Sequence, residues 1–246
     1  MSRENSPPHN MRLVLEYDGT GFHGWQAQPA SRTVAGELSR AITTITGESP
    51  RLIAAGRTDA GAHSLGQTVN FELAREIAPR RLMAGLNAVL PEDVAVVDAD
   101  IAPEGFHARF SARRRRYRYV VENREARSAV LRHHAWQVKS PLDVDAMRQA
   151  AGRLTGRRDL SAFGRDPAGR NTVRNLEAVD VTPLAAGGVG ALIAFDLSAD
   201  AFLFGMVRRI VGFLVEVGSG RRLADDTAAG ARVAPARGLY QMAVEY

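Results

Sequence analysis

The 246-residue sequence contains no cysteine, which excludes disulfides, thiolate-held zinc, iron–sulfur clusters and thiol nucleophiles together. A long uncharged apolar run is missing too. The longest apolar stretch, Ala201 to Gly218, is interrupted by Arg208, Arg209 and Glu216 and fails as a membrane span. The opening residues MSRENSPPHN are polar and proline-containing with no apolar centre, so residues 1–10 read as a short flexible tail and not as a signal peptide. A soluble cytoplasmic protein is expected. Lysine is almost absent as well: of 32 basic residues only Lys139 is lysine.

What is present is 45% hydrophobic and 24% charged, enough for one large domain or two small ones and too apolar for a disordered chain. The net charge of +5 is unevenly spread. Phe106 to Arg127 holds eight arginines against Glu122 and Glu125, so the surplus is local. Guanidinium groups interleaved with Tyr117 and Tyr119 suit a polyanion with stackable bases, although a solvated charged strand edge would look the same.

Element order follows from hydrophobic spacing and from Gly and Pro punctuation. In the first half, Met11 to Tyr17 reads as a strand. Val34, Leu38, Ala41, Ile42 and Ile45 mark a helix with Ser31 as its cap and Gly47 as its stop. Two β-like runs, Arg51 to Ala55 and Gln67 to Glu72, flank GRTDAGAH. A helix between Pro79 and Pro91 and a strand at Val94 to Val97 follow. The second half repeats the order: strand Tyr117 to Val121, a helix opened by Ser140 and Pro141 and closed by Gly156, strands Val173 to Val181 and Ala191 to Leu197, an apolar helix from Leu203 to Val217, and strand Leu239 to Val244. Each half is therefore β-α-β-β-α-β, the split-βαβ, ferredoxin-like unit. The expected fold class is α+β: two such lobes, residues 11–105 and 106–246, forming one extended, mainly antiparallel sheet with helices on one face and a central basic cleft. Arg165 to Arg170 is loop-like, and Gly218 to Arg237 lacks clear periodicity.

Several motifs carry possible chemistry. Gly19-Thr20-Gly21-Phe22-His23-Gly24 matches a dinucleotide fingerprint formally, but Trp25 to Pro29 stands where a helix must begin and the strand order is wrong for that fold. Gly56-Arg57-Thr58-Asp59-Ala60-Gly61-Ala62-His63 places an arginine, a carboxylate and an imidazole in one turn, where Asp59 could equally serve only its own turn. Phe106-His107-Ala108-Arg109 and the run from Arg113 to Tyr119 offer rings and phosphate donors together, as open sheets that read unpaired bases do; alternatively Tyr117 and Tyr119, two apart, share one face and belong to the core. Arg208 sits in an apolar helix and requires a counter-charge, ordinarily a structural ion pair, while Gly205 and Gly212 allow another backbone or a substrate to approach.

Through EYDGTGFHGWQAQ, GRTDAGAHSLGQTVNF, FHARFSARRRRYRY, MVRRIVG and GLYQMAVEY, in that order, the chain resembles the TruA-type tRNA pseudouridine synthases over nearly its whole length. The resemblance implies two ferredoxin-like lobes around a positively charged cleft and isomerisation of uridine at positions 38 to 40 of the tRNA anticodon stem-loop, by a homodimer that needs no cofactor or metal. It implies Asp59 as the catalytic carboxylate, Arg208 as its cationic partner, Tyr117 as the ring stacked on the uracil, and Arg57 as a holder of the extruded base. His63, Phe106, His107 and Arg109 are implied in site architecture or RNA contact. The charge block itself places Arg113, Arg114, Arg115 and Arg116 along the RNA backbone. The connection from Gly218 to Arg237 looks shorter than is usual in the family and lacks a helix often found there, which bears on peripheral tRNA contacts. Whether the carboxylate attacks C1′, adds to the base or removes the C2′ proton stays open at this level. Two other classes compete: a non-catalytic RNA-binding protein using the same sheet, and a metal-dependent phosphoesterase using Asp18, Asp59 and His63.

Overall fold

A computed structural model describes residues 9–166, 169, 171–184, 191–226 and 230–246. Most of the tail expected at 1–10 lies outside the described residues, as do parts of 165–170 and 218–237, but His9 and Asn10 are not tail: they pair with Leu73 and Glu72 as the start of a strand. The chain divides into two compact units, residues 1–112 with Tyr246, and residues 113–245. The boundary therefore falls seven residues later than the sequence pattern placed it, and the FHARFSA segment stays with the first unit. Asn10 and Asn70 explain this. Asn10 Nδ2 donates to the carbonyl of Phe106 at 3.0 Å, and the Ala108 N–H donates to Asn70 Oδ1 at 2.8 Å.

The first unit runs β1 (His9–Tyr17), α1 (Val34–Thr46), β2 (Ile53–Ala54), β3 (His63–Leu73), α2 (Pro79–Val89), β4 (Val94–Ile101). Its strands lie in the antiparallel order β4-β1-β3-β2. Met11, Leu13, Leu15 and Tyr17 alternate onto one face of β1 and pack with Val34, Leu38 and Ile42 of α1, Leu82 and Leu86 of α2, and Val69, Phe71 and Leu73 of β3. The cap of α1 is Thr33, not Ser31: the Thr33 side chain accepts from the Gly36 N–H, being three residues ahead of it as capping geometry requires. Gly47 ends that helix in the left-handed region at φ 78°, as its position implied.

In the second unit the order is β5 (Arg114–Asn123), β6 (Trp136–Val138), α3 (Val144–Gly152), β7 (Gly156–Asp159), β8 (Val173–Leu184), β9 (Ala191–Ala199), α4 (Met206–Gly218), β10 (Leu239–Glu245). The four strands expected from sequence lie as β10-β5-β9-β8, the same antiparallel order as in the first unit. Two strands escaped the sequence reading. β7 extends the edge beyond β8, and β6 pairs in parallel with the end of β5; with four and three residues, neither shows a period. Three boundaries are corrected. Asp143, accepting from the N–H groups of Asp145 and Ala146, caps α3 in place of Ser140 or Pro141. Gly156 does not close that helix but opens β7 at φ 94°. The helix expected from Leu203 begins at Met206, because Gly205 lies at φ 73° and breaks the helical path. No helix among the described residues is long and apolar enough to cross a membrane.

Tyr119 shows how tightly β5 is set. Its ring is fully buried, its hydroxyl donates to the Pro235 carbonyl at 2.6 Å, and a Cβ on Gly238 would stand 2.7 Å from the ring. Burial holds the Tyr119 phenol well above its usual range, against the opposing pull of Arg208, Arg237 and Arg232. A group whose folded pKa is raised gives stability that is complete below the unfolded value, about 10, and is lost as pH climbs beyond it. Tyr119→Phe is therefore expected to cost about 1 kcal/mol at neutral pH by orphaning the Pro235 carbonyl. Above pH 10 it should remove a stability loss of up to about 1.4 kcal/mol per pH unit. Denaturant titrations of both proteins across the alkaline range test this; parallel curves would refute it.

Candidate active site

The turn from Gly56 to Ala62 joins β2 to β3 and is fastened by the segment that follows β1. The Trp25 N–H donates to the carbonyl of Thr58 at 3.1 Å and the Gly61 N–H to that of Phe22 at 3.2 Å, while the Ala62 N–H closes onto the Asp59 carbonyl at 3.1 Å. Side chains add to this. Tyr17 and Thr58 hydroxyls meet at 2.8 Å inside the unit, and Gln67 Nε2 donates to the Gly56 carbonyl at 2.7 Å. The result holds Asp59 half-buried on a turn whose backbone is fixed at both ends, with Arg57 exposed beside it.

The glycines of GTGFHG are explained by the same contacts. A Cβ on Gly19 would overlap the Ala62 carbonyl, and Gly24, at φ 87°, has the Thr58 carbonyl oxygen 2.7 Å from where its Cβ would stand. Their spacing serves the approach of the Asp59 turn, not a pyrophosphate. The segment enters a short 3-10 turn, Gly19–Gly21, and not an α-helix. Asp18 caps that turn by accepting from the N–H and hydroxyl of Thr20 at 2.9 and 2.6 Å. His63, almost wholly buried, accepts the Gly19 N–H on Nδ1 at 3.1 Å and lies 3.0 Å from Asp18 Oδ1. Asp18 and His63 thus fasten the turn that the Asp59 loop rests upon.

In the second unit β5 alternates from Arg114 to Val121. Arg115, Tyr117 and Tyr119 face inward; Arg114, Arg116 and Arg118 are partly or fully exposed. The Tyr117 ring is 9% exposed and meets Phe202 edge-on at 4.9 Å. Arg115 is buried, with Nη1 donating to the Asp200 carbonyl at 2.6 Å. Arg114 is paired with Glu177 and Glu245, Arg116 with Glu245, and Arg118 with Asp196. The arginine surplus of the sequence is thus partly neutralised across strands, and a phosphate approaching Arg114 or Arg116 competes with these carboxylates. The sequence reading missed those partners because each lies more than 60 residues from its arginine. On α4, Arg208 Nε donates to the Ala234 carbonyl at 2.7 Å, and the Ala234 N–H returns to the Arg208 carbonyl at 3.0 Å. Gly212 permits that pairing, since a Cβ there would overlap the Arg232 carbonyl.

The sequence model of the tRNA pseudouridine synthases matches residues 13–111 and 150–246. The chain belongs to that family. It is 38% identical over 247 residues to tRNA pseudouridine synthase A of Acetivibrio thermocellus, covering 96% of this chain and 99% of the relative. To the protein of the same name from Roseiflexus castenholzii it is 44% identical over 245 residues, covering 96% and 90%. Among solved structures, a Cbf5–Nop10–Gar1 complex aligns at 13% identity with a TM-score of 0.36, covering 83% of this chain and 45% of that one. Family membership makes the chain an isomerase. Pseudouridine synthesis replaces the N1–C1′ bond of a uridine by a C5–C1′ bond, which requires a group able to help break a glycosidic bond.

Proposed function

We propose that this chain isomerises uridine to pseudouridine at positions 38 to 40 of the tRNA anticodon stem-loop, in the cytoplasm and as a homodimer, with Asp59 as the catalytic carboxylate. The observation that carries the reading is the fastening of the Gly56 to Ala62 turn: Tyr17, Phe22, Trp25 and Gln67 all bond to it, holding one half-buried carboxylate in place. Such pre-positioning is what a reaction at a single carbon centre needs. The reaction is redox-neutral and adds no atom, so this chemistry calls for no cofactor.

In this reading the target nucleotide leaves the stack before it reacts. Arg57, exposed on the same turn as Asp59, holds it out. Tyr117 stacks on the uracil, and Arg208, oriented by its bond to Ala234, is the cation paired with Asp59. Phe106, His107, Arg109 and His63 shape the site or touch RNA, and Arg113, Arg114, Arg115 and Arg116 lie along the phosphate backbone. The direct test is release of tritium from C5-labelled uridine in tRNA incubated with the protein alone. Release that survives a chelator is expected; binding without release identifies a non-catalytic RNA-binding protein, and chelator-sensitive strand cleavage identifies the phosphoesterase.

Tyr117→Ala is expected to reduce the single-turnover rate far more than the affinity, since one base stack is worth about 1–3 kcal/mol whereas misplacing the uracil slows every later step. Tyr117→Phe keeps the ring that meets Phe202 and should keep most of the rate. Full activity of the alanine variant would assign Tyr117 to the core alone.

A further inference from the structure

The FHARFSA segment carries two phenylalanines with different surroundings. Phe106 is half-buried, with its ring 4.7 Å from that of Tyr246 and the Arg12 guanidinium 5.8 Å from its centre. Phe110 is 76% exposed, the most exposed aromatic side chain among the described residues. Yet its place is fixed. The His107 ring lies 4.3 Å from it at 30°, and His107 Nδ1 accepts the backbone N–H groups of both Arg109 and Phe110 at 3.2 Å. The turn is closed by Ser111, whose N–H donates to the His107 carbonyl at 2.9 Å and whose hydroxyl accepts the His107 N–H at 3.1 Å. It is anchored below by Ala108, whose N–H reaches Asn70 and whose carbonyl accepts the Tyr246 hydroxyl at 2.9 Å.

A large apolar ring held rigidly in water opposes the drive that buries such rings, and a rigid ring loses little conformational freedom when something lands on it. The neighbours indicate the occupant. Arg109 stands 5.6 Å from the Phe110 ring centre and His107 flanks it, so a cation and an imidazole border the exposed aromatic. A flat π-face beside a guanidinium matches an unpaired nucleobase and its phosphate better than it matches the apolar side chains of a protein partner. We propose that Phe110 is a stacking platform for an unpaired nucleobase of the tRNA substrate, distinct from the uridine that is isomerised. This rests on the tRNA reading above.

Equilibrium tRNA binding and C5-tritium release by wild type, Phe110→Ala, Phe110→Leu and Phe110→Trp test it, with thermal melts to confirm folding. Phe110→Ala and Phe110→Leu should each bind tRNA about tenfold more weakly, with KM raised and kcat kept. The slope of log affinity against log salt should stay as in the wild type, because a stack releases no counterions. Phe110→Trp should bind at least as well as wild type and show indole quenching on tRNA addition beyond that of Trp25 and Trp136. Wild-type affinity in Phe110→Ala overturns the proposal, and so does Phe110→Leu binding as tightly as Phe110→Trp, which would mark an apolar contact instead. Wild type that releases no tritium and binds no tRNA removes the functional reading and this one together. Tritium release by wild type with unchanged Phe110→Ala binding removes this one alone.

Discussion

Asp59→Ala is expected to release no tritium above background from C5-labelled tRNA, even in single-turnover reactions with enzyme in large excess, while binding tRNA within about tenfold of the wild type. The two halves of that expectation have separate physical sources. Affinity for a polyanion comes chiefly from charge neutralisation over many phosphates, and the loss of one carboxylate leaves those contacts untouched. Breaking the N1–C1′ bond needs a group at the reacting centre that can act as nucleophile or base, and every proposed route passes through the same oxygen atoms. Asp59→Asn sharpens the comparison, since it keeps shape and turn hydrogen bonding while deleting charge and basicity. Because the turn is held mainly by backbone groups of Thr58, Asp59, Gly61 and Ala62, both variants should fold. Turnover by either at more than about a hundredth of the wild-type rate would remove Asp59 from the chemistry, since loss of a general base or nucleophile costs about a hundredfold or more.

The sequence made the duplicated β-α-β-β-α-β order legible because period-2 and period-3.6 patterns in eight strands and four helices are long enough to register. Two strands of three and four residues were not, and β6 and β7 became visible only as backbone pairing. Helix starts were misplaced at Ser31 and Ser140 for a common reason. Capping depends on which residue adopts extended backbone just ahead of the first turn, and several residues of suitable type stood within reach. At the site, GRTDAGAH announced a turn rich in reactive groups, but what fixes that turn did not show. The bonds from Tyr17 to Thr58 and from Trp25 to the Thr58 carbonyl connect residues more than 30 apart in sequence. The arginine block illustrates the opposite failure. Counting charges along the chain saw Arg114, Arg116 and Arg118 as a surplus, while strand pairing and long side chains bring Glu177, Asp196 and Glu245 to them.

The GTGFHG glycines supply the second large effect. Gly19→Ala is expected to lower the single-turnover rate about a hundredfold while leaving tRNA affinity within a few-fold. Gly19 does not occupy the left-handed region, so alanine is conformationally allowed there and the obstacle is space alone. The atom in the way is the Ala62 carbonyl, which belongs to the backbone of the Asp59 turn and cannot rotate aside as a side chain would. Relief requires that the turn carrying Asp59 retreat, or that residues 19–21 lift and draw His63 with them through its bond to the Gly19 N–H. The first movement displaces the carboxylate by on the order of 1 Å and the second withdraws the support beneath its turn, and misplacement on that scale is enough to cost about two orders of magnitude in rate. Gly21→Ala is the matched control, because its Cβ would meet only side-chain tips, Arg32 Nη1 at 3.1 Å and Asp93 Oδ2 at 3.8 Å, which can yield. It should retain nearly the full rate, with thermal melts showing Gly19→Ala folded and modestly less stable. Equal rates for the two variants would mean that the close approach of Gly19 to Ala62 does not position Asp59.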